Sequence, residues 1–155
     1  MSEPLVSVIM PTYNSQRYVK YSIDSVLSQS FKKFEMIIVD DCSKDQTMKV
    51  LKKYQKKDTR IRVFKTKINS GNANASVPRN LGIKYSKGDY CAFIDSDDIW
   101  NKDKLINQIN QLSNDKLLSC TATDIQYGSK GLKSNFFLNL LIIIFQLFFI
   151  NKINK

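Results

Sequence analysis

Histidine is absent from this 155-residue chain. Its absence excludes histidine metal ligands, histidine general bases and Ser-His-Asp triads. The three cysteines, Cys42, Cys91 and Cys120, are far apart and form no C-x-x-C pair, which excludes a thiolate zinc site. Any metal must therefore be held mainly by oxygen ligands, and widely spaced thiols favour a reducing, cytoplasmic setting.

Two further patterns are missing. The start of the chain has no basic segment followed by a long apolar stretch, so no signal peptide is predicted. The loop around Gly71 has one glycine and fits neither G-x-G-x-x-G nor the P-loop pattern. This disfavours a dehydrogenase or an ATPase.

Basic residues are in excess, with 24 Lys plus Arg against 14 Asp plus Glu and a formal net charge of +10. Such an excess suits nucleic acid, anionic lipid or phosphate-bearing substrates, and it is equally typical of a solvated lysine-rich surface. A nucleic-acid-binding element would interleave basic and aromatic residues. The lysines between positions 49 and 57 lack that interleaving, so no nucleic-acid partner is predicted.

The apolar pattern predicts alternating strands and helices in a chain long enough for one domain. Strands are predicted at 5–10, 34–39, 61–65, 90–94 and 117–123. Helices are predicted from Asn14-Ser15 to about Gln29, at 45–57 and 78–85, and around Leu105, Ile109 and Leu112. This order predicts an α/β fold of three α/β/α layers with a mainly parallel sheet.

Ligands of such sheets bind beyond the carboxyl ends of the strands. Three of the first four predicted strands end in polar clusters, at 11–14, 40–43 and 95–98. Asp95 and Asp97 can gather around one hard divalent cation, with water and a diphosphate completing the shell, or they can cap a helix. Asp40 and Asp41 can accept hydrogen bonds from a base or ribose, or cap the second helix. Arg79, near a helix start, can bind an anion or be a plain exposed arginine.

Six segments, taken in order, resemble family 2 glycosyltransferases. They are VSVIMPTYN (6–14), IIVDDCSKDQT (37–47), NSG (69–71), RNLGI (79–83), SKGDY (86–90) and IDSDD (94–98). The last resembles the DxD signature of the family, and Cys42 stands where the family more often has glycine or asparagine. The resemblance covers about 4–112 and implies the GT-A fold, which is Rossmann-like.

The resemblance also implies roles for individual residues. It places Pro11, Tyr13 and Asp41 in the nucleoside pocket with Asp40 beside it, Arg79 near the diphosphate and sugar, and Asp95 on the ribose or sugar side. Asp97 would hold Mn or Mg. The predicted nucleotide-sugar-binding residues are Pro11, Tyr13, Asn14, Asp40, Asp41, Arg79, Asp95 and Ser96, and the predicted metal ligands are Asp97 and Asp95.

The implied reaction moves a sugar from a nucleotide donor, often UDP-linked, to a hydroxyl of a saccharide or lipid-linked acceptor in surface polysaccharide or lipopolysaccharide assembly. In the family, an aspartate base lies well past the DxD signature. Beyond Asp115 this chain has one acid, Asp124, without a context that suits a base. The chain is therefore expected to be C-terminally truncated, and an inactive remnant that binds nucleotide sugars is the alternative hypothesis.

The division predicted is a nucleotide-sugar-binding domain at 1–127 and a loop with a short apolar tail at 128–155. Residues 136–150 are almost wholly apolar, and as a helix they would reach about 22 Å. A bilayer core is about 30 Å thick, so a membrane span is not expected. Peripheral contact with anionic lipid at the inner face of the membrane and a plain core or interface helix both stay open.

Overall fold

The computed structural model describes residues 3–71, 74–114 and 150–151. Its strands are β1 (Val6–Thr12), β2 (Phe34–Asp40), β3 (Ile61–Lys65), β4 (Tyr90–Phe93) and β5 (Ile150–Asn151). Its helices are α1 (Val19–Leu27), α2 (Thr47–Lys57), α3 (Ser76–Tyr85) and α4 (Lys104–Asn114). The strand order is β3-β2-β1-β4-β5, with β1 to β4 parallel and β5 antiparallel to β4.

Helices cover the sheet on both faces. Every residue of β1 and β2 is buried, as expected for parallel strands between two helical layers. Val8 and Met10 pack in one core with α1, α2 and α4, whereas Ile9 points to the other face and meets Gly82 of α3. The predicted three-layer α/β architecture with a mainly parallel sheet is therefore confirmed.

The apolar side of α1 shows why this segment is helical. Val19, Ile23 and Val26 recur at helical spacing, and all three are fully buried. Each such side chain contributes about 1.5–3 kcal/mol when it leaves water completely. This contact fixes α1 against the strands whose ends form the site.

Strand β1 continues through Pro11, two residues beyond the predicted end. The Ile9 carbonyl accepts a hydrogen bond from Ile94 on the β4 side, and the Thr12 carbonyl accepts one from Asp41 on the β2 side. Alternation along the strand turns Pro11 towards β4, where pairing with β1 ends at Ile9. Pro11 therefore lacks an amide hydrogen where the ladder needs none.

Helix α1 begins later than predicted. Asn14 has a φ of 47°, and its side-chain oxygen accepts a hydrogen bond from the Lys44 amide at 2.8 Å. The backbone bond from Val19 to the Ser15 carbonyl, 2.9 Å long, opens the helical pattern. Asn14 therefore ties two loops together instead of starting the helix. Helix α3 in turn begins at Ser76, before Pro78, since a proline in a first turn costs no helical hydrogen bond.

The predicted strand at 117–123 and nearly all of 128–155 lie outside the described residues, so the domain division stays a prediction. Of the apolar run, Ile150 is described, and it pairs with Cys91 in the edge strand β5. That position is therefore extended, not helical. Within the described ranges, no helix is both long and apolar enough to cross a bilayer.

Candidate functional site

A cavity of about 570 Å³ opens at the carboxyl ends of the parallel strands. Cavities of this volume are typical of small-molecule sites. Its lining comes from the ends of β1 and β4, the loops after β2 and β3, and the start of α3. The lining residues are Pro11, Thr12, Tyr13, Asp41, Asn69, Gly71, Asn74, Ala75, Pro78, Arg79, Asp95, Ser96 and Asp97.

Asp41 organises one wall of this cavity. Its side chain is nearly buried and accepts hydrogen bonds from the Thr66 hydroxyl at 2.7 Å and the Ser70 amide at 2.9 Å. The Asn69 side chain donates to the Asp41 backbone carbonyl at 2.6 Å. Gly71 follows with a φ of 71°, a left-handed conformation that glycine adopts without strain. Asp41 thus holds the loop after β3 against the end of β2.

Asp40 and Asn14, both predicted to bind the nucleotide sugar, lie outside the cavity lining. Asp40 is fully buried, and its carboxylate accepts hydrogen bonds from the amide and hydroxyl of Ser43. Cys42 has a φ of 62° in the same turn, a region that glycine and asparagine tolerate best. This conformation explains why the resemblance places glycine or asparagine at that position. The predicted binding roles of Asp40 and Asn14 stay predictions that the geometry does not support.

An ion pair joins two residues of the cavity lining. The Arg79 guanidinium on α3 donates to the Asp95 carboxylate after β4, and both side chains are about one-third exposed. A guanidinium at this place can also face a phosphate. Asp95 therefore already has a cationic partner, whereas the carboxylate of Asp97 is exposed and accepts no hydrogen bond from the described residues.

The acidic loop, residues 95–98 after β4, carries the aspartates Asp95, Asp97 and Asp98, and Arg79 pairs with the first of them. Burial raises the pKa of Asp98, and the charges of Asp95 and Asp97 raise it further. Within the described part of the chain, no three acidic or cysteine side chains converge as a ready-made metal cage. One exposed carboxylate and one paired carboxylate suit a hard cation that takes its other ligands from a diphosphate and water. The residues present therefore fit Mn or Mg.

Pro11 and Tyr13, at the end of β1, belong to the same lining. Tyr13 is 44% exposed, so its ring is free to contact a planar base. Ser96 lines the cavity too, but its hydroxyl is already hydrogen-bonded to the Ser15 hydroxyl at 2.7 Å.

The structure brings seven of the nine predicted site residues to one cavity: Pro11, Tyr13, Asp41, Arg79, Asp95, Ser96 and Asp97. Sequence reasoning missed Thr12, Asn69, Gly71, Asn74, Ala75 and Pro78 as lining residues. The signal for Asn69 and Gly71 was present, since their loop follows a parallel strand at the same edge of the sheet.

Comparison with known proteins identifies the family of this chain. The family described as "Glycosyl transferase family 2" matches residues 7–152. The chain belongs to glycosyl transferase family 2. This confirms the family predicted from the six segments.

Two curated relatives of this family 2 chain come from bacteria. A Bacillus subtilis (strain 168) glycosyltransferase, TuaG, provisionally named for teichuronic acid biosynthesis, is 50% identical over 107 residues, which are 69% of this chain and 41% of TuaG. WfgD of Escherichia coli, named as a UDP-Glc:alpha-D-GlcNAc-diphosphoundecaprenol beta-1,3-glucosyltransferase, is 42% identical over 113 residues, 72% of this chain and 42% of WfgD. The family 2 chain thus spans about two fifths of these relatives.

A solved structure supports the same assignment. The crystal structure of Staphylococcus aureus TarS 1–349 in complex with UDP-GlcNAc matches with a TM-score of 0.73 and 32% identity. The match covers 83% of this chain and 37% of that one. The likeness confirms the GT-A fold that the family 2 motifs predicted.

Proposed function

We propose that this chain is the donor-binding part of a glycosyltransferase that uses a UDP-linked sugar and Mn or Mg in cell-surface polysaccharide or lipopolysaccharide assembly. The observation that carries the proposal is one cavity lined by Tyr13 and Asp41 together with Arg79, Asp95 and Asp97. In the strand order, the ends of β2 and β4, which precede Asp41 and Asp95, lie on opposite sides of β1. A nucleotide sugar has the matching order of parts, with a planar base at one end and a diphosphate and sugar at the other.

The proposal that the donor is UDP-linked rests both on related proteins and on the residues that line the cavity. The TarS structure contains UDP-GlcNAc, and WfgD is named for a UDP-linked donor. In this chain, Pro11 and Tyr13 offer an apolar wall for the base. Asp41 lines the same cavity, and hydrogen bonds from Thr66 and Ser70 hold its carboxylate. Neither feature distinguishes one sugar from another.

The departing nucleotide is the part of the reaction that these residues would serve. Arg79 would bind a phosphate oxygen, and this would release Asp95 to face the ribose or sugar. Asp97 would hold the cation, which supplies positive charge to the diphosphate when bound. The described residues assign no base to the acceptor hydroxyl, so transfer itself is proposed for the longer protein that the relatives represent.

Measurement of donor binding with and without metal tests the proposal. We expect Asp97→Ala to weaken UDP-GlcNAc binding in the presence of Mn by roughly tenfold or more, since loss of a ligand costs no less than loss of a supporting residue. Binding without metal should change little. Isothermal titration calorimetry with and without Mn measures both, with UDP-Glc as a second donor.

Asp103→Ala is the matched control, because Asp103 is an exposed aspartate outside the cavity lining. It removes the same charge from the same protein and should leave binding unchanged. Equal affinities for Asp97→Ala and wild type would remove Asp97 from the metal site. Absence of any donor binding by the folded wild-type chain would overturn the proposed function.

The second candidate is a remnant that binds the donor but cannot transfer the sugar. It stands beside the first because none of the described lining residues is assigned as the base for an acceptor hydroxyl. Donor hydrolysis and transfer assays on the same samples separate the two functions. Binding without turnover supports the remnant, and transfer to an acceptor supports the enzyme.

We further propose that the acceptor is a saccharide or lipid-linked saccharide and that the protein acts in the cytoplasm at the inner face of the membrane. WfgD is named for a diphosphoundecaprenol acceptor, which is a lipid. The segment predicted to contact the membrane, 136–150, lies outside the described residues. The net charge of +10 is the property of the chain that supports this placement.

A further inference from the structure

Helix α1 carries a polar stripe on a side that faces the acidic loop. Ser22 and Ser25 lie on α1 and Gln29 just past its end, with spacings of three and four residues that align them on one side. Ser22 is 1% exposed and Gln29 is 0% exposed. Burial of polar side chains is costly unless they form hydrogen bonds, so each of these residues requires a hydrogen-bond partner.

Each residue of the stripe bonds to the backbone that follows β4. The Ser22 hydroxyl donates to the Ser96 carbonyl at 2.8 Å, and the Ser25 hydroxyl accepts from the Trp100 amide at 3.1 Å. The Gln29 side chain donates to the Asn101 carbonyl at 2.7 Å and accepts from the Leu105 amide at 3.0 Å. The stripe thus holds this backbone near its beginning, in its middle and at the start of α4.

The same backbone carries Asp97 into the cavity. The last ladder bond of β4 joins the Ile94 amide to the Ile9 carbonyl, and the loop then leaves the sheet. Asp97 lies between Ser96 and Trp100, the two positions that Ser22 and Ser25 hold. Neutral hydroxyl groups can fix this backbone without competing for the carboxylate.

We propose that Ser22, Ser25 and Gln29 are positioning residues that pre-organise the Asp97 loop for the cation and the diphosphate. The inference rests on the proposed function and adds three residues to it, none of which lines the cavity. Residues that support metal ligands from behind typically change metal affinity by about 10–100-fold when they are removed.

Two alanine variants test the stripe. Ser22→Ala and Ser25→Ala should each weaken Mn-dependent UDP-GlcNAc binding by several-fold, and the double variant by roughly tenfold or more. Metal-free binding of UDP should change less, because the wall at Tyr13 and Asp41 is untouched. Calorimetry gives both affinities, and amide exchange by NMR gives the protection of the Trp100 amide, which Ser25→Ala should reduce without any ligand present.

Ser28→Ala is the matched control. The Ser28 hydroxyl donates to the Ser25 carbonyl at 2.9 Å, as the Ser25 hydroxyl donates to the Ser22 carbonyl at 2.7 Å. Both variants therefore lose a hydrogen bond to a backbone carbonyl of α1, and only Ser25→Ala also loses the hydrogen bond from the Trp100 amide. Thermal unfolding of all variants shows whether a lower affinity follows from lower stability.

The outcomes separate the two proposals. Suppose that the wild-type chain binds the donor, and that Ser25→Ala and Ser28→Ala have the same donor affinity and the same exchange rate of the Trp100 amide. This result overturns the positioning role. The positioning role is also overturned if donor affinity falls in proportion to the unfolding temperature in all variants, Ser28→Ala included. Failure of the wild-type chain to bind any donor overturns the proposed function. Unchanged protection of the Trp100 amide in Ser25→Ala overturns the positioning role, whether or not a donor binds.

Discussion

Glu35 is buried near the amino ends of the strands, at the opposite edge of the sheet from the cavity. It accepts hydrogen bonds from the Lys87 amide at 2.6 Å, the Ser7 hydroxyl at 2.7 Å and the Arg62 guanidinium at 3.1 Å. Burial by itself raises the pKa of Glu35, but these three donors lower it, and the pKa ends below its ordinary value. The carboxylate therefore joins β1, β2, β3 and the turn before β4.

Glu35→Gln should destabilise the fold by about 1–3 kcal/mol at neutral pH, because buried donors lose a charged acceptor. Since the folded pKa is lowered, the stabilisation is complete above the ordinary pKa of 4.5 and is lost as the pH falls through the folded value. The difference between wild type and variant should therefore shrink below pH 4.5. Urea unfolding at neutral and acid pH measures it.

The exposed Glu3 supplies the control, and Glu3→Gln should leave stability within about 0.5 kcal/mol of wild type. A stability gap between Glu35→Gln and wild type that stays constant from neutral to acid pH would contradict the ionised network.

The adjacent residues Asp40 and Asp41 show which features of the site the sequence could predict and which it could not. Asp40 and Asp41 are adjacent acids after the same strand, and the sequence pattern does not distinguish the buried one from the one that lines the cavity. The answer depends on Ser43, Thr66 and Ser70, which hold the two carboxylates in different directions. Residue type and position along the strand were predictable, whereas the hydrogen-bond partner was not.

At the scale of elements, apolar periodicity predicted the strands and helices up to α4, since their buried sides repeat with the correct spacing. Element ends were less predictable. The predicted start of α1 was wrong, because the Asn14 side chain accepts a hydrogen bond from the amide of Lys44, a residue 30 positions away. Such a contact exists only after β1 and β2 have paired, so no local pattern reveals it.

The crossing of α3 over β1 depends on Gly82. A Cβ atom at this position would lie 2.5 Å from the Cγ2 atom of the fully buried Ile9. Gly82→Ala gains up to about 1 kcal/mol of helix propensity but overpacks the contact at a cost of about 1–3 kcal/mol. We therefore expect a net loss of stability, measured by urea unfolding.

The same substitution in an Ile9→Ala background provides the comparison. Ile9→Ala removes the clashing methyl group, so Gly82→Ala should there be neutral or stabilising. If Gly82→Ala lowers the free energy of unfolding equally in both backgrounds, residues 9 and 82 are not in contact.

At the scale of the whole molecule, the +10 charge and the apolar run at 136–150 lead to a membrane test. We expect the chain to sediment with vesicles of phosphatidylglycerol and phosphatidylcholine, since each lysine or arginine near such a surface contributes about 1 kcal/mol. Binding through charge should be lost at high salt, because salt screens it. Binding that resists salt would indicate an apolar contribution.

Vesicles of phosphatidylcholine alone are the control. Equal sedimentation with both vesicle types would exclude an electrostatic contact, and no sedimentation with either would exclude the proposed membrane contact of this chain. The measurement is independent of donor binding, so it can fail while the nucleotide-sugar site stands.

The strand order has a consequence for how the site originates. From β1 the chain proceeds to β2 and β3 with α1 and α2 on one face, then returns past β1 to β4 with α3 on the other. The connections thus diverge between β1 and β4, and a crevice opens where they part. This gap is a product of chain routing. Substituted side chains at its rim would alter which ligand fits, while the opening itself persists as long as the strands keep their order.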